Sequence, residues 1–270
     1  MFGAKFLNAH NGASARRSAI PDGLTAFAVG DVHGRADLLT ALLEEVLGGD
    51  EGAAERPPIL VCLGDYVDRG PNSPEVLETL IGLSRSDKLE THFLRGNHDQ
   101  TLLDFLDEPK VGADWCDFGG RETMASYGVA IPPKLGASEA WESLRQEFAS
   151  AIPQEHVEFL KGLELTYELG DYFFAHAGAR PGVPLSAQTE KDLLWIRQPF
   201  LDDRRSFEKI VVHGHTPAEA AYADHRRIGL DTGAYATGVL SAVRLEGEDR
   251  RLLQTRRLPG GGIKVETQDL

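Results

Sequence analysis

Two cysteines among 270 residues, Cys62 and Cys116, are too few for a disulfide framework, which points to a reducing compartment. Cys62 lies inside an apolar run and reads as a small core residue. Long hydrophobic runs are missing as well, and no stretch approaches the ~20 residues that a membrane span needs. A basic excess is also absent: 28 Lys and Arg face 42 Asp and Glu, a formal net charge of -14. That balance speaks against a nucleic-acid coat or an anionic membrane surface as partner. It leaves room for a phosphorylated substrate in a locally positive pocket. Residues 1–21 carry Arg16 and Arg17 with no apolar stretch behind them, so no signal peptide is expected and the cytoplasm is the default location. Internal repeats and low-complexity blocks are lacking too.

What the chain has is a repeated order. Short apolar runs end in polar, glycine-containing clusters. Ala26–Val29 precedes Gly30-Asp31-Val32-His33-Gly34, and Ile59–Leu63 precedes Gly64-Asp65-Tyr66-Val67-Asp68-Arg69-Gly70. Thr91–Leu94 precedes Arg95-Gly96-Asn97-His98-Asp99, and Tyr172–Phe174 precedes Ala175-His176-Ala177-Gly178. Ile210–Val212 precedes His213-Gly214-His215-Thr216, and Ile228–Leu230 precedes Asp231-Thr232-Gly233. Buried strands that each deliver a polar loop are the pattern of α/β sheets, whose ligands gather beyond the strand ends.

Helical patterns lie between the clusters. Leu38, Leu42, Val46 and Leu39, Leu43, Leu47 form adjacent i, i+4 rows. Ser73 and Pro74 open a second helix, with Ser73 as the expected N-cap. Residues 101–163 read as a mostly helical cap over the active end of the sheet, with Pro153 starting a short helix near its close. Val239–Leu245 and Arg251–Leu258 alternate around Gly247-Glu248-Asp249, which predicts a β-hairpin. The expectation is therefore one α/β domain over residues 25–258, with a flexible tail at 1–24 and another at 259–270.

The clusters carry ligand chemistry. Asp31 and His33 are two residues apart, so in extended backbone both can reach one cation. Asp65 can join them or bridge to a second cation. Asn97, His176 and His215 offer neutral donors from three further strand ends. A mixed Asp, His and Asn set without thiolate suits Mn²⁺, Fe or Zn²⁺ better than Ca²⁺ or a structural zinc. A pair of such ions ~3.5–4 Å apart would make hydroxide available near pH 7 and neutralise phosphate oxygens.

The five clusters from Gly30 to Thr216 resemble the ordered motifs of calcineurin-like metallophosphoesterases, over about residues 26–245. Within that superfamily the wording is similar to the bacterial and phage serine/threonine phosphoprotein phosphatases. The resemblance implies a layered β-sheet sandwich flanked by helices. It implies two divalent metal ions, Mn²⁺ first, with Fe or Zn²⁺ as the other options. Asp31, His33 and Asp65 would hold one ion, and Asp65, Asn97, His176 and His215 the other. His98 would be the general acid, with Asp68 as its orienting partner, and Arg69 and Arg197 would grip the phosphate. Arg197 enters because Leu194-Trp195-Ile196-Arg197 resembles the segment that brings the distal arginine.

Some positions depart from the pattern or need weighing. Asp99 stands where many eukaryotic relatives carry glutamate, and reads as a supporting carboxylate. His213 sits two residues before the matching His215 and is given a supporting role at most. Pro217 replaces a metal histidine of the broader superfamily, as in the phosphoprotein phosphatase branch. Asp231 reads as structural, and Arg121 and Arg180 divide evenly between substrate contact and solvated surface. The expected activity is hydrolysis of phosphoserine or phosphothreonine, and of phosphotyrosine as a further substrate, by hydroxide shared between the two ions. The alternatives are a symmetrical dinucleoside tetraphosphate hydrolase, whose second motif usually lacks a carboxylate at the position of Asp68, and an inactive phosphate-binding module. The partner is a phosphoprotein or small phosphoester, with neither nucleic acid nor membrane.

Overall fold

Alternation of side chains along each strand decides how the layers stack. In β1 (Thr25–Val29), Ala26 and Ala28 face one way while Phe27 and Val29 face the other, and residues 26–29 are all buried. A strand buried on both faces needs a layer on each side, and this chain provides both. The computed structural model describes residues 18–48, 56–131 and 138–270.

After β1 come α1 (Ala36–Gly48), β2 (Ile59–Cys62), α2 (Ser73–Ser84), β3 (Glu90–Phe93) and α3 (Asn97–Asp107). The cap follows with α4 (Gly112–Trp115), a π-type turn at Cys116–Gly120, α5 (Arg121–Ser126), α6 (Ser138–Ala151) and α7 (Gln154–Lys161). The second half runs β4 (Thr166–Leu169), β5 (Tyr172–Ala175), α8 (Glu190–Trp195), α9 (Gln198–Leu201), β6 (Ile210–His213), β7 (Tyr222–Ala223) and β8 (Arg227–Gly229). It closes with α10 (Ala234–Thr237), β9 (Ser241–Glu246), β10 (Asp249–Arg257) and β11 (Ile263–Asp269).

The strands form two sheets, in the orders β11-β10-β9-β1-β2-β3 and β4-β5-β6-β8-β7. Strands β1, β2 and β3 pair in parallel, as do β5, β6 and β8. The sheets pack face to face through one apolar layer, where Ala28, Val61 and Leu63 meet Phe174, Val212 and Ile228. On the outer face of the first sheet, Phe27, Val29 and Leu60 pack against Leu38, Leu42 and Leu77 of the helices. On the outer face of the second, Phe173 and Val211 pack against Leu193, Ile196 and Phe200. The layered sandwich flanked by helices is thus present, and the two parallel triplets send their C-terminal loops to a common edge.

Three details differ from the sequence expectation. Residues 263–269 are not a tail: they form β11, which pairs antiparallel with β10 from Arg251↔Asp269 to Arg257↔Ile263. In the expected N-terminal tail, residues 1–17 lie outside the described residues, but Ile20 is buried and donates its amide to Gly247 O at 3.0 Å. Asn72 rather than Ser73 occupies the N-cap position of α2, and Ser73 is the first helical residue and buried. Among the described residues, no helix is long and apolar enough to cross a membrane.

Candidate functional site

The loops at that common edge are built on strained backbone. Among the described residues, the non-glycine positions with left-handed φ are His33 (45°), Asp65 (54°), Asp68 (72°), Arg69 (68°) and His215 (64°). Each such residue costs on the order of 1 kcal/mol or more and persists only where its surroundings over-determine it. All five belong to the sequence-derived site. Close backbone approach explains the flanking glycines: a Cβ on Gly96 would lie 2.1 Å from Asp65 Oδ1, and one on Gly214 would lie 1.9 Å from Asp31 Oδ1.

Asp65 is the hub. Its carboxylate is buried, and Oδ1 accepts from the His98 amide at 2.9 Å. Oδ2 stands 3.5 Å from His33 Nε2, and Oδ1 stands 3.4 Å from His176 Nε2. Two donor sets result, His33–Asp65–His98 and Asp65–His176–His215, each with ligand atoms within 4.8 Å of one another. Asn97 joins the second set, with Oδ1 at 3.0 Å from His176 Nε2 and 2.7 Å from His215 Nδ1. Asp31 lies at the same edge, but both its oxygens accept from the His215 amide, at 3.1 and 3.0 Å. It is His98 that completes the first set around His33.

Asn97 and His98 are the first two residues of α3, capped by Gly96, and the helical rotation between neighbours turns their side chains apart. His98 turns toward Asp68, with Nδ1 at 2.7 Å from Oδ2. The Asp68 carboxylate also accepts from Trp115 Nε1 at 2.9 Å and Thr123 Oγ1 at 2.7 Å, both contributed by the cap. Asp99 contributes no ligand atom to either donor set. Its oxygens accept the amides of Gly96, Asp65 and Tyr66 at 2.9, 2.8 and 3.0 Å, which ties the second and third motif loops together.

Protonation follows from these contacts. His33 Nδ1 donates to Val67 O at 2.8 Å and His176 Nδ1 donates to Leu63 O at 2.9 Å, so both Nε2 lone pairs face the site. Burial lowers the pKa of His33 to about 3 and of His215 to about 2, and lowers that of His176 as well. These imidazoles are neutral at pH 7. Burial and the neighbouring carboxylates Asp231 and Asp65 raise Asp31 well above the usual carboxylate range. Burial also pushes Asp99 to about 7 and Asp231 to about 6. Asp65 moves the other way, since the four surrounding imidazoles outweigh its burial. For His98, burial opposes the charged form, but Asp65 and Asp68 prevail and raise its pKa.

Neutral imidazoles converging on buried carboxylates form a site short of positive charge. Arg69 supplies some of it, with Nη1 at 2.8 Å from His33 Nε2 and Nη2 at 2.9 Å from His98 Nε2. His215 Nε2 is buried with no hydrogen-bond partner. An orphaned imidazole nitrogen beside an ionised carboxylate fits a divalent cation of the Mn, Fe or Zn kind.

Arg69 and Arg197 line one cavity of about 280 Å³ together with Asn97, His98, Trp115 and Trp195. Arg180 is drawn away instead, its Nε donating to Asp192 at 2.8 Å, and Arg121 is exposed on α5. His213 belongs to neither donor set: Nδ1 donates to Gly214 O at 3.0 Å and Nε2 accepts from Arg227 at 3.0 Å. Sequence reasoning missed Trp115, Thr123 and the Cys116–Gly120 turn, whose Gly119 accepts the Arg69 amide through its carbonyl at 3.2 Å. No local signal marks them, because only the folded cap brings them to Asp68 and Arg69.

The chain is similar to proteins of known sequence and structure. The bis(5'-nucleosyl)-tetraphosphatase PrpE (asymmetrical) of Geobacillus thermodenitrificans is 29% identical over 237 residues, covering 80% of this chain and 88% of its own. The symmetrical bis(5'-nucleosyl)-tetraphosphatase of Dechloromonas aromatica is 27% identical over 285 residues, covering 90% of this chain and all of its own. Among solved structures, the cold-active protein-tyrosine phosphatase of a psychrophilic Shewanella superposes with a TM-score of 0.56 at 19% identity, covering 92% of this chain and 83% of its own. The sequence profile of the calcineurin-like phosphoesterases matches residues 24–244, which hold every loop of the two donor sets, and the chain belongs to that family.

Proposed function

We propose that this protein hydrolyses bis(5'-nucleosyl) tetraphosphates at a centre holding two divalent cations. The observation that carries the substrate is the likeness to enzymes named for that reaction, which extends over most of their length and most of this chain. Asp68 had favoured a protein phosphatase over the symmetrical hydrolases, but several of the relatives are of the asymmetrical kind, to which that comparison does not apply.

His33, Asp65, His176, His215 and Asn97 would hold the cations, with Asp31 beside them. Cations bound there supply Lewis-acid neutralisation of phosphoryl oxygens and acidify a water molecule at neutral pH. Arg69 and Arg197 offer forked donors matched to phosphoryl oxygens. While Arg69 donates to His98 Nε2, the His98 ring is neutral. An incoming phosphate draws Arg69 away, and Nε2 can then take a proton under the raised pKa that Asp65 and Asp68 impose. His98 thereby becomes the acid that protonates the departing oxygen, aligned through Nδ1 by Asp68.

A second reading, hydrolysis of phosphoserine, phosphothreonine or phosphotyrosine, has one observation in its favour. The Asp68–His98 pair delivers a proton, and an alkoxide leaving group needs that proton more than a nucleotide does. The test is side-by-side turnover of diadenosine tetraphosphate and a phosphopeptide with Mn²⁺ added. ATP plus AMP would be the asymmetrical products, and two ADP the symmetrical ones. A phosphopeptide turned over with tenfold higher kcat/KM than the dinucleotide would overturn the proposal, and phosphate binding without any turnover would make the chain an inactive binding module.

A further inference from the structure

Three aromatic side chains stand in solvent at the rim of this site: Phe118 is 65% exposed, Trp195 49% and Tyr235 39%. Their placement is ordered. The Tyr235 ring meets His33 edge-on, with centroids 5.6 Å apart, and lies 4.9 Å from the Arg69 guanidinium carbon. The Trp195 ring meets His215 edge-on at 6.4 Å. His33 and His215 belong to different donor sets that share Asp65, so each set has one exposed ring beside it. Phe118 stands between, in the Cys116–Gly120 turn that holds Arg69.

Two cavities meet at Arg69 and Phe118. One, of about 420 Å³ and open to solvent, is lined further by Tyr235, Gly119, Asp117 and Glu122. The other, of about 280 Å³, is lined further by Trp195, Arg197 and His98. Each therefore combines the Arg69 guanidinium with an exposed aromatic ring of its own. A phosphate grip with one aromatic-walled cavity on each side matches a ligand that carries a planar ring at each end of a phosphate chain.

We infer that the two cavities are nucleoside subsites: Trp195 and Phe118 stack one base, Tyr235 stacks the other, and the phosphate chain crosses Arg69. This rests on the reading of the substrate as a dinucleoside tetraphosphate, and it adds the residues that recognise the bases. Stacking of a base on an aromatic side chain tolerates any base, because every base presents a π face. The subsites therefore select for nucleosides as a class and only weakly among them.

The test is calorimetric binding of ADP and of pyrophosphate to the Mn²⁺-loaded full-length protein, since these ligands differ by one nucleoside. ADP carries one base and can enter either subsite, so the double variant Trp195→Ala with Tyr235→Ala should weaken ADP by roughly tenfold, while pyrophosphate changes by less than about twofold. Trp195→Phe with Tyr235→Ala, which keeps one ring, should restore most of the ADP affinity. Equal losses for both ligands would overturn the subsites, since the rings would then serve only the phosphate grip. Unchanged ADP binding would overturn them too. The substrate reading fails separately: ring-dependent ADP binding without hydrolysis of diadenosine tetraphosphate leaves the subsites standing. Hydrolysis with KM unchanged in the variants removes the subsites and leaves the substrate.

Discussion

His98 Nδ1 stands 2.7 Å from Asp68 Oδ2, and that carboxylate also accepts from Trp115 and Thr123. The proton that His98 can deliver is thus fixed in direction by a residue of the second motif, itself held by the cap. His98→Asn should lower kcat by ~10²–10⁴ on alkyl phosphoesters, the usual worth of a general acid. On aryl phosphoesters, whose leaving groups need little protonation, the loss should stay under ~10-fold. Comparable losses on both classes would remove His98 from the acid role.

Asp65 serves both donor sets, so its removal should act on cation binding as a whole. Chelator-treated wild-type protein should gain stability when Mn²⁺ is restored, by ~2.7 kcal/mol at a hundred times the dissociation constant. Asp65→Asn should lose most of that gain, measured as the Mn²⁺-induced rise in Tm. An unaltered rise would place the ions elsewhere.

Two glycines give opposite expectations. Gly214 has ordinary backbone, but an added Cβ would lie 1.9 Å from Asp31 Oδ1. Gly214→Ala should therefore destabilise by ~1–3 kcal/mol, the cost of overpacking a tight site. Gly82 lies exposed in α2 with nothing within 4 Å of an added Cβ. Gly82→Ala should stabilise by ~0.5–1 kcal/mol through helix propensity and reduced freedom of the unfolded chain. Urea unfolding of both variants checks the pair.

The meeting of the expected ligand residues at one edge was legible in the sequence because each follows a short buried strand, and strand ends fix loops in space. Asp31, His33, Asp65, Asn97, His176 and His215 all come together at one edge for that reason. The exposed rings were not legible. Trp195 drew notice only as a neighbour of Arg197, and Phe118 sits in a π-type turn that no periodicity announces. Strand β11 was missed for another reason. It is an edge strand with most residues exposed, so ladder hydrogen bonds to β10 hold it and no hydrophobic period marks it. Only Ile263 and Val265 pack against the core.

His213 offers a pH test outside the donor sets. Burial, with Arg227 beside it, lowers its pKa to about 3 in the folded protein. In the unfolded chain the value is near the usual ~6.5. Between those limits the unfolded state binds the proton and the folded state does not, so stability falls as pH falls, by up to ~1.4 kcal/mol per pH unit. His213→Gln cannot take up that proton. At pH 7 the variant should be the less stable protein, because its side chain must replace the contacts to Arg227 and Phe200. As pH drops from 6.5 toward 4 the gap should narrow and then reverse. The other buried histidines and carboxylates titrate in both proteins and cancel in the difference. Urea midpoints at half-unit pH intervals measure it, and a gap that stays constant with pH would mean that His213 takes up its proton alike in the folded and unfolded chains.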